Sequence, residues 1–276
     1  MNAISAIVFD VDGTLINDDK EILIETIDVV RVLSEKRGVD FILASARSPQ
    51  SLAIVAQRLG VQCGFVCFNG ALSFYSFDIS EQKYQTFKTL PLASCLTLVE
   101  ELLKCDVTIS AFTAKEWVAS RSDYWLEREV RGTFLKPDRI GEQEVWDLVT
   151  NDSVHKIMCR GSEKGIAAAL KRIDSGNLIG TRFFSDRSTA IEISPSDCTK
   201  LDALTALLAY HDHPVGNVVV FGDADNDLEM IEHFPNSVAM GNGSRRLKHE
   251  ASFVIGSNNE PAIAEFLRQH VLSWER

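Results

Sequence analysis

The chain lacks any long apolar stretch, and it is short of positive charge. No hydrophobic run within its 276 residues reaches the roughly 20 residues that cross a bilayer, so no transmembrane helix is predicted. Lysine and arginine number 28 against 39 aspartate and glutamate, which gives a formal net charge of −11. Nucleic acids and anionic membranes attract basic surfaces. The composition therefore argues against both as main partners, although local cations or a metal can still attract a small anion.

The six cysteines form neither a zinc pattern nor a disulfide framework. They are scattered and mostly lie within apolar runs, and Cys63 and Cys67 have no second Cys or His pair at zinc spacing. We expect buried, reduced thiols, as in a cytoplasmic protein. The N-terminal residues run directly into the first predicted strand, which leaves no room for a signal peptide and also favours the cytoplasm.

Apolar strands alternate with amphipathic helices at both ends of the chain. Strands that are hydrophobic on both faces and separated by helices indicate a parallel sheet that is covered on each side. The predicted fold class is therefore α/β, with a Rossmann-like parallel-sheet core. The predicted strands of this core are residues 6–9, 41–43, 65–68, 190–193, 218–221, 238–240 and 253–255, and the principal helices are residues 21–36, 48–59, 201–210 and 261–271.

The sequence pattern changes between about residue 82 and residue 188. Strand-like segments there alternate apolar and polar residues, which favours a mixed or antiparallel sheet with one solvated or cleft-facing side. Three of the four tryptophans, Trp117, Trp125 and Trp146, lie in this region. We therefore predict that residues 82–188 form an inserted α+β cap domain, and that residues 1–81 and 189–276 together form the core.

Two apolar strands that are distant in sequence each end in a cluster of acids. The first cluster is Asp10-Val11-Asp12-Gly13-Thr14, and the second is Gly222-Asp223-Ala224-Asp225-Asn226-Asp227. In an extended strand Asp10 and Asp12 point the same way, and the repulsion between them favours a divalent cation, for which Mg²⁺ is the usual choice. Either cluster alone is also typical of a solvated turn. Because ligands bind at the carboxyl ends of strands in open α/β sheets, we expect the two clusters to converge on one metal.

These residues resemble the motifs of the haloacid dehalogenase-like hydrolases, specifically the Cof-type phosphatases with a large inserted cap. Four segments match in order, namely Asp10-x-Asp12-Gly13-Thr14, Ser45-Ala46-Arg47, Lys200, and Gly222-Asp223-x-x-Asn226-Asp227, the last followed by Met240-Gly241-Asn242. The resemblance covers the whole chain. Ala46 and Leu201 depart from the family pattern, since glycine is usual at both positions. Ala46 reduces the backbone freedom of the predicted phosphate loop.

The resemblance implies a Mg²⁺-dependent phosphatase that acts through an aspartyl-phosphate. Asp10 would be the nucleophile and Asp12 the general acid and base. The metal ligands would be Asp10, the carbonyl group of Asp12, and Asp223. The phosphate-binding residues would be Val11, Ser45, Ala46, Lys200 and Asn226, with Thr14, Arg47 and Asp227 in supporting roles. Thr14 would tether Asp12 through its hydroxyl group.

The expected substrate is a small phosphorylated metabolite. A sugar phosphate, a nucleotide fragment, a flavin phosphate and pyridoxal phosphate are all open, because no cap motif is specific. Asp12 argues against a dehalogenase, which needs no proton donor at that position. A phosphosugar mutase and a sensor that binds a phosphometabolite without turnover are the alternatives. The oligomeric state is unknown from the sequence.

Overall fold

The computed structural model describes residues 4–75, 83–175, 178–185 and 188–273. Contacts divide the chain into two units. The first unit contains the described residues up to Ala46, Leu52–Thr86 and those from Thr199 onward, and the second contains Arg47–Ser51 and Phe87–Cys198. Within the described residues, every helix is too short or too polar to span a bilayer.

The secondary-structure elements alternate along the chain. The strands are β1 (Ala6–Phe9), β2 (Asp40–Ala44), β3 (Cys63–Cys67), β4 (Leu72–Phe74), β5 (Tyr84–Phe87), β6 (Val107–Phe112), β7 (Trp117–Ala119), β8 (Arg139–Ile140), β9 (Lys156–Gly161), β10 (Thr181–Ser185), β11 (Ala190–Pro195), β12 (Val218–Gly222), β13 (Asn236–Ala239) and β14 (Phe253–Val254). The α-helices are α1 (Ile24–Arg37), α2 (Pro49–Leu59), α3 (Leu92–Leu103), α4 (Tyr124–Thr133), α5 (Glu142–Asn151), α6 (Glu163–Ser175), α7 (Lys200–Tyr210), α8 (Leu228–His233), α9 (Arg245–Glu250) and α10 (Ala262–Leu267). Short turns of other helical types lie at Phe68–Gly70, Val215–Asn217, Asp225–Asp227 and Arg268–Leu272.

An eight-stranded sheet with the order β14-β13-β12-β1-β2-β3-β4-β5 organises the first unit. The strands from β14 to β3 run parallel, and β4 is antiparallel to β3. The central strands β1 and β12 are fully buried, because their apolar side chains are covered on both faces of the sheet. One of these faces packs Val8 and Val220 against Leu204 and Leu207 of α7. The predicted α/β fold class is confirmed.

The topology of this sheet brings three distant chain segments to one edge. Because β1, β2 and β12 are parallel neighbours, their carboxyl ends lie side by side. Asp10 follows β1, Ser45 follows β2 and Asp223 follows β12. Edges of this kind hold the ligand sites of open α/β sheets.

A six-stranded mixed sheet with the order β10-β11-β9-β6-β7-β8 organises the second unit. Only the pair β7 and β8 is parallel among its described pairs. Helices α3, α5 and α6 cover one face, where residues such as Leu98, Leu148 and Ile166 pack on Ile109 and its neighbours. The polar residues Thr108 and Ser110 of β6 are also buried.

The boundaries of the second unit differ from those predicted. Strand β11 pairs antiparallel with β9 and β10, so the unit ends at Cys198 rather than at residue 188. Ile191 and Ile193 are buried on either side of the partly buried Glu192, which is the alternating pattern of the mixed sheet. Helix α4 was not predicted, although Asp123 caps it by accepting hydrogen bonds from the amides of Trp125 and Leu126.

Candidate active site

Three buried or half-buried carboxylates lie together at the carboxyl edge of the eight-stranded sheet. Asp10, Asp223 and Asp227 each offer an oxygen within 4.8 Å of the others. Asp10 comes directly after β1, whereas Asp223 and Asp227 belong to the turn that follows β12. The amides of Asp223 and Ala224 both donate to Oδ2 of Asp227 over 3.2 Å, which fixes that carboxylate inside the turn. The two distant acid clusters therefore converge.

Lys200 lies between two of these acids. Its Nζ is 2.6 Å from Oδ1 of Asp10 and 2.7 Å from Oδ1 of Asp227, and its side chain is 2% exposed. Lys200 is the first residue of α7, whose N-terminus Thr199 caps by accepting from the amide of Asp202. Leu201 does not displace the lysine, because it packs beside the apolar face of the sheet instead.

The turn Phe68–Gly70 packs closely against the backbone of Thr199, at the start of α7. Gly70 has a φ of +102°, and a Cβ there would lie 2.0 Å from the carbonyl oxygen of Thr199. Only glycine permits both this conformation and this approach. The sequence signature Asn69-Gly70 thus marks a backbone contact that sets the position of Lys200.

Thr14 secures Asp223 rather than Asp12. Its hydroxyl group donates to Oδ1 of Asp223 over 2.8 Å, across 209 residues of sequence. The turn at Gly13, which has a φ of +86°, directs the chain back toward the second acid cluster. A Cβ on Gly13 would lie 2.5 Å from Oδ2 of Asp223, so the glycine also allows the two loops to touch. The expectation that Thr14 tethers Asp12 is therefore corrected.

The Asp12 side chain has a partner outside the acidic cluster. Strand β1 ends at Phe9, so the alternation of an extended strand does not extend to Asp12. Its carboxylate is exposed and lies 3.1 Å from Nζ of Lys20. The third carboxylate in the cluster is accordingly that of Asp227, which the sequence placed in a supporting role. Lys20 itself was not predicted, although a cation eight residues after an acid on the same loop offers a weak signal.

Burial and mutual repulsion shape the charges of the site. Burial raises the pKa of the Asp10 carboxyl well above its ordinary value, and Asp227 and Asp223 add to the rise against the opposing pull of Lys200. Burial likewise raises the pKa of Asp223 to about 6. For Lys200, burial lowers the pKa, but the charges of Asp10 and Asp227 outweigh it and leave the pKa above its ordinary value. Lys200 thus bonds two of the three clustered carboxylates, and the excess negative charge suits a divalent cation with hard oxygen ligands.

The remaining predicted phosphate-binding residues lie at the ends of β1 and β2. Ser45 is buried, and its amide donates to the carbonyl of Val66 while its carbonyl accepts from the amide of Asn69. Val11 is buried and its carbonyl accepts from the amide of Ile16. Ala46 follows directly and is half-buried.

Arg47 and Asn226 both contact other side chains of the protein. Arg47 groups with the second unit, where its guanidinium donates to Ser51 over 2.8 Å and lies 5.0 Å from the centre of the Phe134 ring. Asn226 is exposed, and its amide group donates to Oδ1 of Asn69 over 3.4 Å. The described side-chain hydrogen bonds of Lys200 go to Asp10 and Asp227.

Comparison with known proteins agrees with the fold and the motifs. The family model for haloacid dehalogenase-like hydrolase matches residues 7–267. A 5-amino-6-(5-phospho-D-ribitylamino)uracil phosphatase of Bacillus subtilis is 26% identical over 96% of both chains. A pyridoxal phosphate phosphatase of Escherichia coli is 24% identical over 96% of this chain and 98% of its own. The crystal structure of a haloacid dehalogenase-like hydrolase from Bacteroides thetaiotaomicron has a TM-score of 0.84 at 24% identity and covers 96% of this chain and 99% of that one.

The family match spans nearly the whole chain, including both acid clusters and Lys200. The fold of the solved relative extends over the same length. The chain therefore belongs to the haloacid dehalogenase-like hydrolases, as its motifs predicted, and it is an enzyme.

Proposed function

We propose that the protein is a Mg²⁺-dependent phosphatase that hydrolyses a small phosphorylated metabolite through an aspartyl-phosphate on Asp10. The observation that carries the proposal is the buried contact of Asp10 with Lys200 beside Asp223 and Asp227. A carboxylate at the end of a strand, with a cation and two further acids around it, has the parts needed for phosphoryl transfer.

The donor set fits a hard divalent cation. Asp10, Asp223 and Asp227 offer oxygen atoms only, and burial, with the charge of Asp227 added to it, raises the pKa of Asp10 and of Asp223. Asp10, Asp223 and the carbonyl of Asp12 would hold Mg²⁺, with Asp227 beside them. When bound, the cation supplies positive charge to the phosphoryl oxygens and to the acids.

The side chains of the site divide the remaining chemistry among them. An Asp10 oxygen attacks phosphorus and the bond from phosphorus to the leaving oxygen breaks. Asp12 gives its proton to that oxygen and later takes one from the water that hydrolyses the aspartyl-phosphate. Lys200 offers a fixed positive charge to the transferring group, and Ser45 offers a hydroxyl donor at the end of β2. Thr14 holds Asp223 in place through its hydroxyl group.

Two of the phosphatases among the relatives support the substrate class. One is named for a phosphoribitylamino-uracil and the other for pyridoxal phosphate. Both names describe small phosphate monoesters with a nitrogen heterocycle. Phosphorylated cofactors and their precursors should therefore be assayed first, together with sugar phosphates. The small share of basic residues speaks against nucleic acid as a partner.

We also propose that the protein works in the cytoplasm. All six cysteines lie in the described part of the chain and no disulfide joins any of them. Burial raises the pKa of the Cys63 and Cys95 thiols to about 12, which keeps them protonated and unreactive. Buried thiols of this kind suit a reducing compartment.

Phosphate release from a metabolite panel, with and without Mg²⁺, tests the proposal. We expect metal-dependent release in the wild type and a loss of at least a thousandfold in Asp10→Asn, which keeps the shape of the side chain but not the nucleophile. Asp225→Asn is the matched control, because Asp225 is exposed in the turn beside the cluster and its side chain bonds only Ser244 among its described partners. Full activity in Asp10→Asn would overturn the mechanism. Transfer of phosphate within a sugar without release would indicate a mutase, and tight binding without turnover would indicate a sensor.

A further inference from the structure

Two asparagine amides fasten the backbone on either side of Thr14. Nδ2 of Asn242 donates to the carbonyl oxygen of Gly13 over 2.8 Å, and Nδ2 of Asn258 donates to the carbonyl oxygen of Ile16 over 3.0 Å. The amide of Asn258 also donates to Oδ1 of Asn242 over 3.0 Å, so the two side chains form one connected unit. We call this pair the asparagine clamp.

The clamp has a buried half, Asn258, within the first unit. Asn258 is 6% exposed, and its amide group makes a second, longer contact of 3.4 Å with Oδ1 of Asp18. The loop that it grips is also closed by a bond from the amide of Leu15 to the carbonyl of Asp10 over 3.3 Å. That bond joins the loop to itself, whereas the clamp joins the loop to a segment more than two hundred residues away.

The backbone of Asp12 belongs to the loop that the clamp grips. The backbone of Asp12 forms a bridge with Ile16, whose carbonyl the clamp holds. The clamp holds this loop at the carbonyl groups of Gly13 and Ile16. The position of the Asp12 carboxyl group therefore depends on the clamp.

We propose that Asn242 and Asn258 are positioning residues that hold Asp12 where it can protonate the leaving oxygen. The inference rests on the proposed function, which assigns that proton transfer to Asp12. Release of the clamp allows the loop to move, and the proton then reaches the leaving oxygen less often, while the Asp10 side chain keeps its contact with Lys200, which lies outside the loop.

The chemistry of the leaving group separates this role from a general loss of structure. An alkoxide leaves poorly without a proton, whereas p-nitrophenolate leaves without one, so only the first depends on Asp12 during formation of the aspartyl-phosphate. The ratio kcat/KM reports that first half of the reaction and not the later attack of water, because release of the leaving group is irreversible when product is absent. A merely destabilised enzyme loses kcat/KM equally for both substrates.

The test compares kcat/KM for glycerol phosphate and for p-nitrophenyl phosphate in Asn258→Ala. We expect a loss of about tenfold or more for glycerol phosphate and less than about threefold for p-nitrophenyl phosphate. Asn242→Ala, which removes the exposed half of the clamp, should show the same imbalance and serves if Asn258→Ala does not fold. Asn236→Ala is the matched control, since Asn236 is a buried amide that binds the carbonyls of Gly216 and Val218 at the other end of β12.

Three outcomes decide the inference. A larger loss of kcat/KM for glycerol phosphate than for p-nitrophenyl phosphate in the clamp variants, but not in Asn236→Ala, supports it. Equal losses of kcat/KM on both substrates in both clamp variants overturn it. If Asp12→Ala nevertheless loses more kcat/KM on glycerol phosphate than on p-nitrophenyl phosphate, the proposed function stands. A wild type that releases no phosphate from either substrate, or an Asp12→Ala variant without the imbalance, overturns the proposed role of Asp12 and the inference with it.

Discussion

The amine of Lys200 lies 2.6 Å from Oδ1 of Asp10, although 190 residues separate the two in sequence. The same amine lies 2.7 Å from Asp227, so one cation joins two buried acids. Buried charges of this kind are costly unless each has a partner. The lysine therefore contributes to the stability of the first unit as well as to the proposed chemistry.

Replacing Lys200 with methionine should destabilise the metal-free protein. Asp10 and Asp227 would be left buried without their cation, which typically costs about 3–5 kcal/mol in the free energy of unfolding. Added Mg²⁺ should restore part of this loss, while phosphate release should stay abolished. Urea unfolding in EDTA and in Mg²⁺ measures both effects.

The control for this experiment is Lys104→Met. Lys104 also contacts two acids, Glu100 and Glu101, but on the exposed surface of the second unit. We expect little change in its unfolding curve. Equal stability of Lys200→Met and the wild type in EDTA would contradict the assignment of a structural role to the lysine.

Thr14→Val should weaken Mg²⁺ activation without removing any acid. The substitution keeps the shape of the side chain but deletes the 2.8 Å bond to Asp223, and a bond to a charged group contributes about 1.5–3 kcal/mol. We expect the Mg²⁺ concentration for half-maximal activity to rise by about tenfold or more.

Thr14→Ser, which retains the hydroxyl group, should restore most of the Mg²⁺ response. Thr97→Val provides the control, since Thr97 bonds a backbone carbonyl within α3 on an exposed face. If Thr14→Val and Thr97→Val respond to Mg²⁺ alike, the hydroxyl group of Thr14 does not support the metal site.

Gly70→Ala should damage both folding and activity. An alanine Cβ would lie 2.0 Å from the carbonyl oxygen of Thr199 in a backbone conformation that disfavours side chains. We expect a loss of more than about 1 kcal/mol in the free energy of unfolding and a fall in kcat, because the start of α7 carries Lys200. Gly132→Ala, within α4 and with open space around it, should be neutral or slightly stabilising. Similar behaviour of the two variants would argue against a fixed contact at Gly70.

The stability of the metal-free protein should fall as the pH rises from about 4 to about 6. Burial raises the pKa of Asp223 to about 6, so in this window the folded state keeps a proton that the unfolded chain has lost. The loss is on the order of 2 kcal/mol and persists at higher pH. Unfolding in EDTA across this range measures it.

Asp223→Asn isolates this contribution because the amide does not titrate. The variant should lose less stability than the wild type between about pH 4 and about pH 6. Added Mg²⁺ should oppose the wild-type trend, since a cation binds the deprotonated acids more strongly as the pH rises. Identical pH profiles of wild type and variant in EDTA would show that Asp223 has an ordinary pKa.

The sheet and the meeting of the two acid clusters could be predicted from local patterns. Apolar strands buried on both faces indicate parallel pairing, and such strands place the acids that follow them at one edge. Asp10 and Asp223 were predicted as neighbours on this basis, and the structure brings their carboxylates within 4.8 Å of each other.

The details that were not predicted depend on tertiary contacts. Whether Asp12 or Asp227 completes the carboxylate cluster depends on where β1 ends and on how the turn after β12 folds. The role of Asn258 has no local signal, because an asparagine in a loop is typical of an ordinary turn. Strand β11 has the composition of either sheet, and only its pairing with β9 and β10 assigns it to the second unit.

Strand β1 lies between β2 and β12, and those neighbours come from opposite ends of the sequence. During synthesis β1 and β2 can pair early, but one edge of β1 has no neighbour until the ribosome has produced Val218–Gly222. Long-range pairings of this kind form slowly, and they leave a strand edge exposed meanwhile. Nascent chains of this protein should therefore be inactive until late in translation and should depend most on chaperones before β12 emerges.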